Sequence, residues 1–166
     1  GTVNVNAGTG NSLSFYGIEN IEDYNIQSGT VIQLGDFSTA GTTTTVAAGA
    51  SMVFKNAVNG SGAFVANGNL TFEADGQLNQ TGSVTLGSGS TITTDLSGTI
   101  VPLGQFSYLN ASSIINEGVT FETNSLLYEL GLTSDNGSMK VEAVVTDLAT
   151  LSDDYNVSAF GAAMRS

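Results

Sequence analysis

Short runs in which apolar and polar residues alternate recur through the first hundred residues. Leu13 and Phe15, Ile32 and Leu34, Met52 and Phe54, and Leu70 and Phe72 bracket Ser14, Gln33, Val53 and Thr71, which are mostly polar; Ile92 continues the series. A period of two is that of a strand with one buried face. Shorter apolar pieces precede these runs at Val3 and Val5, Tyr24 and Ile26, Val46, Phe64 and Val65, and Val84 and Leu86. Each unit is therefore read as two or three short strands joined by Gly, Asn and Thr turns. Gly10, Gly29, Gly49, Gly68 and Gly87 keep step at spacings of 19, 20, 19 and 19 residues.

A unit this short cannot bury its own apolar face, but stacked units can. Parallel pairing with the counterpart one repeat away, at roughly 4.8 Å, turns the alternate residues into internal columns. The expectation is an all-β, parallel β-helix of about 19–20 residues per coil, right-handed because parallel crossovers favour that hand. One predicted column holds Leu13, Ile32, Met52 and Leu70; the other holds Phe15, Leu34, Phe54, Phe72 and Ile92. An antiparallel sandwich is the alternative, and the dense leucine pattern of a leucine-rich repeat is missing.

The spacing is lost near Pro102, which divides the chain into coils over 1–101, a C-terminal β cap over 102–150 and a linker or short helix over 151–166. Within the cap, Leu127–Leu132 and Met139–Val145 flank Thr133–Ser138, a link containing Asn136-Gly137, a strong hairpin turn signal. Ser152-Asp153-Asp154 is placed to cap a short helix running to Met164.

Glycine-punctuated coils followed by Leu-Tyr-Glu-Leu-Gly-Leu and Asp-Asn-Gly-Ser-Met-Lys-Val resemble the C-terminal end of a bacterial autotransporter passenger, the exported part of a type V secretion protein. Val101-Pro102-Leu103-Gly104-Gln105-Phe106-Ser107-Tyr108-Leu109 is similar to the strand that opens the autochaperone region of that family. The resemblance implies a β-helix displayed at the bacterial cell surface. Its cap would promote folding, and an outer-membrane β-barrel of the same polypeptide would follow Ser166. Leu127, Tyr128, Leu130, Leu132, Val141 and Val144 are then the residues expected to form the folding cap.

Composition and charge narrow the chemistry. Gly 21, Thr 20, Ser 19 and Asn 15 make up nearly half of the 166 residues, while charged residues supply 11%. Such a chain is too apolar for a disordered polyelectrolyte and too rich in small polar residues for a helix bundle. Three cations, Lys55, Lys140 and Arg165, stand against fifteen acids for a net charge of −12. They cannot line a nucleic-acid groove or dock on an anionic membrane. Without histidine or cysteine, the chain has no imidazole base, thiol nucleophile or thiolate metal site. No apolar run is long enough to span a bilayer as a helix, and no signal-peptide pattern is present.

Carboxylates remain as candidate chemistry. Asp75 and Asp95 each follow a predicted column residue, Phe72 or Ile92, by three positions. Stacked one coil apart they would approach the separation of a retaining glycosidase pair or hold Ca²⁺; the plainer reading is two solvated turn aspartates. The same alignment sets Lys55 beneath Glu73 as a surface ion pair. Glu19, Glu22 and Asp23 read as a solvated corner, and Thr42–Thr45 as a corner or loop, with a contact surface as its functional alternative. Asn-x-Ser/Thr occurs at Asn59, Asn69, Asn79, Asn110, Asn136 and Asn156, somewhat above chance, and is read as turns first and glycosylation acceptors second.

These signals point to a non-enzymatic chain with no cofactor and no metal, and the resemblance implies a structural stalk and secretion-promoting cap belonging to a surface adhesin of the kind that contributes to virulence. Adhesion or self-association through one β-helix face, with a host-surface or like partner, is the alternative. A carbohydrate-active β-helix built on Asp75 and Asp95 is the third reading.

Overall fold

The computed structural model describes residues 1–39, 43–73, 75–95, 106–124, 128–135 and 138–145; for Phe106 and the last two ranges the description is of the backbone. The first coil contains β1 (Val3–Asn6), β2 (Ser12–Phe15) and β3 (Ile18–Ile21). The second contains β4 (Tyr24–Ser28), β5 (Thr30–Gln33) and β6 (Phe37–Thr39), and the third β7 (Thr43–Val46), β8 (Ser51–Phe54) and β9 (Ala57–Gly60). Then come β10 (Ala63–Ala66), β11 (Asn69–Glu73), the long β12 (Gln77–Leu86), β13 (Thr91–Asp95), the long β14 (Phe106–Asn116) and β15 (Thr120–Thr123). A hairpin of β16 (Tyr128–Asp135) and β17 (Ser138–Val145) follows.

These strands form a parallel β-solenoid with three faces. The first face is β1-β4-β7-β10 followed by the second halves of β12 and β14; the second is β2-β5-β8-β11-β13-β15. The third runs from β3 through β6 and β9 to the first halves of β12 and β14. Strands β12 and β14 are long because each turns the corner from the third face to the first; their mutual register slips there, between Gln80 and Ser83. The parallel stack also continues beyond residue 101. Leu78 pairs with Leu109 and Ile92 with Phe121, so the coil that includes 96–105 is about ten residues longer than its predecessors.

The interior is filled by columns. On the first face Val5, Ile26, Val46, Ala66 and Leu86 stack in register, beside Tyr24, Thr44, Phe64, Val84 and Ile114. On the second face the columns are Leu13-Val31-Met52-Leu70-Ile92-Phe121 and Phe15-Gln33-Phe54-Phe72-Thr94-Thr123. This corrects the predicted columns in two places. Val31 and Gln33, not Ile32 and Leu34, point inward, and Ile92 joins the column of Leu70 rather than that of Phe72. The ring centroids of Phe54 and Phe72 stack at 5.1 Å, with Tyr108 at 5.9 Å from Phe72. Thr43–Thr45, expected in a loop, belongs to β7, with Thr44 buried.

Corner length explains the slips of register. Between the first and second faces the chain spends five residues (7–11), then Gly29 alone, then four (47–50), two (67–68) and four (87–90). The wide corners close with turn bonds from the amides of Asn11, Ala50 and Ser90 to the carbonyls of Gly8, Ala47 and Gly87. Gly10, Gly49 and Gly89 take φ of 80°, 81° and 84° at equivalent places in them, a left-handed conformation that side chains resist. The even glycine spacing therefore counts coils without marking equivalent positions in each.

Candidate functional site

The C-terminal end is closed by a change of strand direction. β14 pairs in parallel with β12 on one edge and antiparallel with β17 on the other, through Leu109↔Val141, Asn110↔Lys140 and Ala111↔Met139. β17 in turn pairs antiparallel with β16, from Tyr128↔Val145 to Asp135↔Ser138. The hairpin is longer than the sequence pattern suggested, since Thr133–Asp135 and Ser138 join the strands and leave only Asn136-Gly137 between them. Within the expected cap, Tyr128, Leu130, Leu132, Val141 and Val144 lie on these two strands; Leu127 falls outside the described residues, as do 96–105 and the helix expected within 152–164.

The acidic pair is not brought together by the second-face register. Glu73, not Asp75, lies across from Asp95, because Phe72 pairs with Thr94. Asp75 is exposed in a turn, and Asp95 accepts a hydrogen bond of 2.6 Å from the Asn124 amide. Among the described residues no group of three or more acidic side chains is placed to hold a metal ion. Lys55 does lie against Glu73, at 3.1 Å with both side chains well exposed, as the alignment predicted. Of the first acidic cluster, Asp23 accepts from the Thr43 amide at 3.4 Å, which ties the corner to the next coil.

The most ordered surface feature is on the third face. Four coils in succession present the same three-residue pattern: Asp36-Phe37-Ser38, Asn59-Gly60-Ser61, Asn79-Gln80-Thr81 and Asn110-Ala111-Ser112. The middle residues form an inward column, with Phe37 across from Gly60 and Gln80 across from Ala111. Strand alternation turns the flanking residues outward in two polar rows. Asn59 donates its backbone amide to Asp36 Oδ1 at 2.8 Å and its carboxamide to both carboxylate oxygens at 3.2 and 3.1 Å. Asn79 pairs in register with Asn59 and accepts from Asn110 Nδ2 at 2.8 Å. In the second row the Ser61 hydroxyl donates to Ser38 Oγ at 3.4 Å.

Electrostatics in these rows are mild and negative. The two kinds of hydrogen bond from Asn59, backbone first and side chain second, hold the Asp36 carboxyl below the ordinary aspartate range. Two adjoining hollows, each of about 350 Å³, lie along the rows and share Asn59 and Thr81. Glu19 and Asp36 line the first; Asn79, Asn110 and Ser112 line the second; among the described residues no lysine or arginine lines either.

Sequence reasoning held part of this signal and assigned it otherwise. Asn59, Asn79 and Asn110 carry three of the six Asn-x-Ser/Thr matches, and all three sit on strands rather than in turns. Asn69 likewise opens β11, and Asn136 and Asn156 lie outside the described residues. The mild excess of the motif comes largely from a structural repeat that places an amide and a hydroxyl at the same two outward positions. Searches of protein families, of curated proteins and of solved structures found no match to this chain.

Proposed function

We propose that this chain is the stalk and folding cap of an exported β-helical passenger, a non-enzymatic part of a bacterial surface protein. One observation carries the reading: β14 has a parallel neighbour on one edge and an antiparallel one on the other, so the parallel stack ends on a hairpin. A hairpin closes with little loop entropy, because only two residues separate its strands. Once formed, it offers β17 as an edge on which β14 can pair, and each preceding coil then adds to the one after it. Folding in that order outside the cell would make return through an export pore unfavourable. The partner this requires is an outer-membrane β-barrel of the same polypeptide.

Surface display of the parent polypeptide, measured on intact cells with an antibody to the coils, tests the reading. Val141→Pro removes a ladder donor from the strand flanked on both sides, and Leu130→Asp and Val144→Asp put charge into the hairpin. Display is expected to fall several-fold in all three and to hold in Asp75→Asn with Asp95→Asn. Equal display of all these variants would overturn the proposal.

A further inference from the structure

We propose that the third face is a binding track for a linear, uncharged glycan, seated along its Asx and hydroxyl rows. None of the six residues expected to form the folding cap is among the described residues that line this site, nor are Asp75 and Asp95, although β14, which carries Asn110 and Ser112, also pairs with the hairpin.

Four properties of the face select that ligand. Its rows repeat once per coil, at the roughly 4.8 Å separation of paired strands, a step comparable to one pyranose unit of an extended chain. Its hydrogen-bonding groups are carboxamides, hydroxyls and one or two carboxylates, which match the paired donors and acceptors of sugar hydroxyls. Asn59 and Asn110 each use a carboxamide N–H within the row, which orients the amide and leaves chemistry for a ligand. Its charge is negative at the Glu19 and Asp36 end, where no lysine or arginine is among the described lining residues, so uronate, sulfate and phosphate polymers are disfavoured there.

The track is also preorganised. Hydrogen bonds within the rows hold the side chains of Asp36, Asn59, Asn79 and Asn110 before any ligand arrives, so binding loses little of their rotamer entropy. The floor is set by the inward column, where Gly60 leaves room for Phe37 and Gln80 beneath the rows. The hollows meet at Asn59 and Thr81, which makes Thr81, an exposed residue, the midpoint of a continuous path.

Calorimetric titration of the 166-residue chain tests this with named probes: linear hexasaccharides of glucose (β-1,4 and β-1,3), mannose, galactose and N-acetylglucosamine, with hexagalacturonate as the anionic control. At least one neutral hexasaccharide is expected to bind, at least tenfold more tightly than its trisaccharide, and hexagalacturonate is not. Thr81→Lys should weaken binding tenfold or more with an unchanged melting temperature, whereas Thr71→Lys on the second face should leave it intact. Asn79→Ser gives a second reading of the track should Thr81→Lys alter the fold. No binding by any neutral hexasaccharide would overturn the proposal. So would equal binding of hexagalacturonate, or equal loss in Thr71→Lys.

Discussion

The Tyr24 hydroxyl donates to Gln33 Oε1 across 3.2 Å inside the solenoid, and the same glutamine donates from Nε2 to the Gly35 carbonyl at 2.7 Å. Two polar side chains thus sit at the centre of an otherwise apolar layer with their needs met by each other and by the backbone. Tyr24→Phe leaves the Gln33 acceptor buried and unpaired, at an expected cost of about 1–3 kcal/mol. Adding Gln33→Leu should recover much of that loss, and urea melts of the three variants would show it.

The same phenol makes a pH prediction. Burial raises the Tyr24 pKa far above its ordinary 10.0. The folded chain therefore keeps a proton that the unfolded chain releases. The group leaves stability unchanged below pH 10 and lowers it as pH rises beyond, by at most about 1.4 kcal/mol per pH unit. Tyr24→Phe should lose that much of the alkaline slope when melting is followed from pH 9 to 11.5.

Gln33 also shows what the sequence left hidden. Coil length and strand alternation were legible because burial of one face leaves a period of two. Phase was not, because a glutamine inside and Ile32 outside invert the usual pattern, and only a tyrosine nine residues earlier explains the inversion. The one-residue corner at Gly29 sets that phase, while the wide corner at 87–90 carries Ile92 into the column of Leu70. The expected closeness of Asp75 and Asp95 failed for this second reason. Lys55 and Glu73 were placed correctly since Phe54 and Phe72 anchor both strands in the assumed register. The third-face rows were visible only as scattered sequons, as coils of 20 to 31 residues separate their members.

Thr44 carries a buried hydroxyl without a hydrogen-bond partner, in register between Tyr24 and Phe64. Thr44→Val keeps the shape and removes the unsatisfied group. It should stabilise the chain by about 1 kcal/mol, read as a higher urea midpoint with an unchanged slope.

Gly60 and Gly49 resist substitution for different reasons. A β-carbon at Gly60 would stand 2.0 Å from Gln80 Oε1 and 2.5 Å from the Phe37 ring, whereas Gly49 has open space but a φ of 81°. Alanine at either position should cost about 1–3 kcal/mol. Asparagine, which tolerates a left-handed backbone, should recover most of the loss at position 49 and none at position 60. Thermal melts of the four variants would separate crowding from conformation.

Asn59→Asp would set a second carboxylate directly across from Asp36 in place of its donor. Like charges facing each other on neighbouring strands cost about 0.2–1 kcal/mol, and the lost hydrogen bonds add to this. The repulsive part should be present at pH 7 and vanish as the carboxyls are protonated in acid. Asp36 should also titrate at higher pH in the variant, which carboxyl chemical shifts would record.

The alternation of wide and narrow corners gives this molecule a unit of length that is not the single coil. Gly10, Gly49 and Gly89 recur after 39 and 40 residues, and the narrow corners at Gly29 and Gly68 after 39. Excising 30–68 would join Gly29 to Asn69, carrying one narrow corner into the strand that follows the other. Excising 30–50 would join Gly29 to Ser51 and set a strand built for a wide corner behind a narrow one. Chains of this design are thus lengthened or shortened most smoothly by pairs of coils, and a duplicated segment of about forty residues would fit where one of twenty would be forced to re-form its corners.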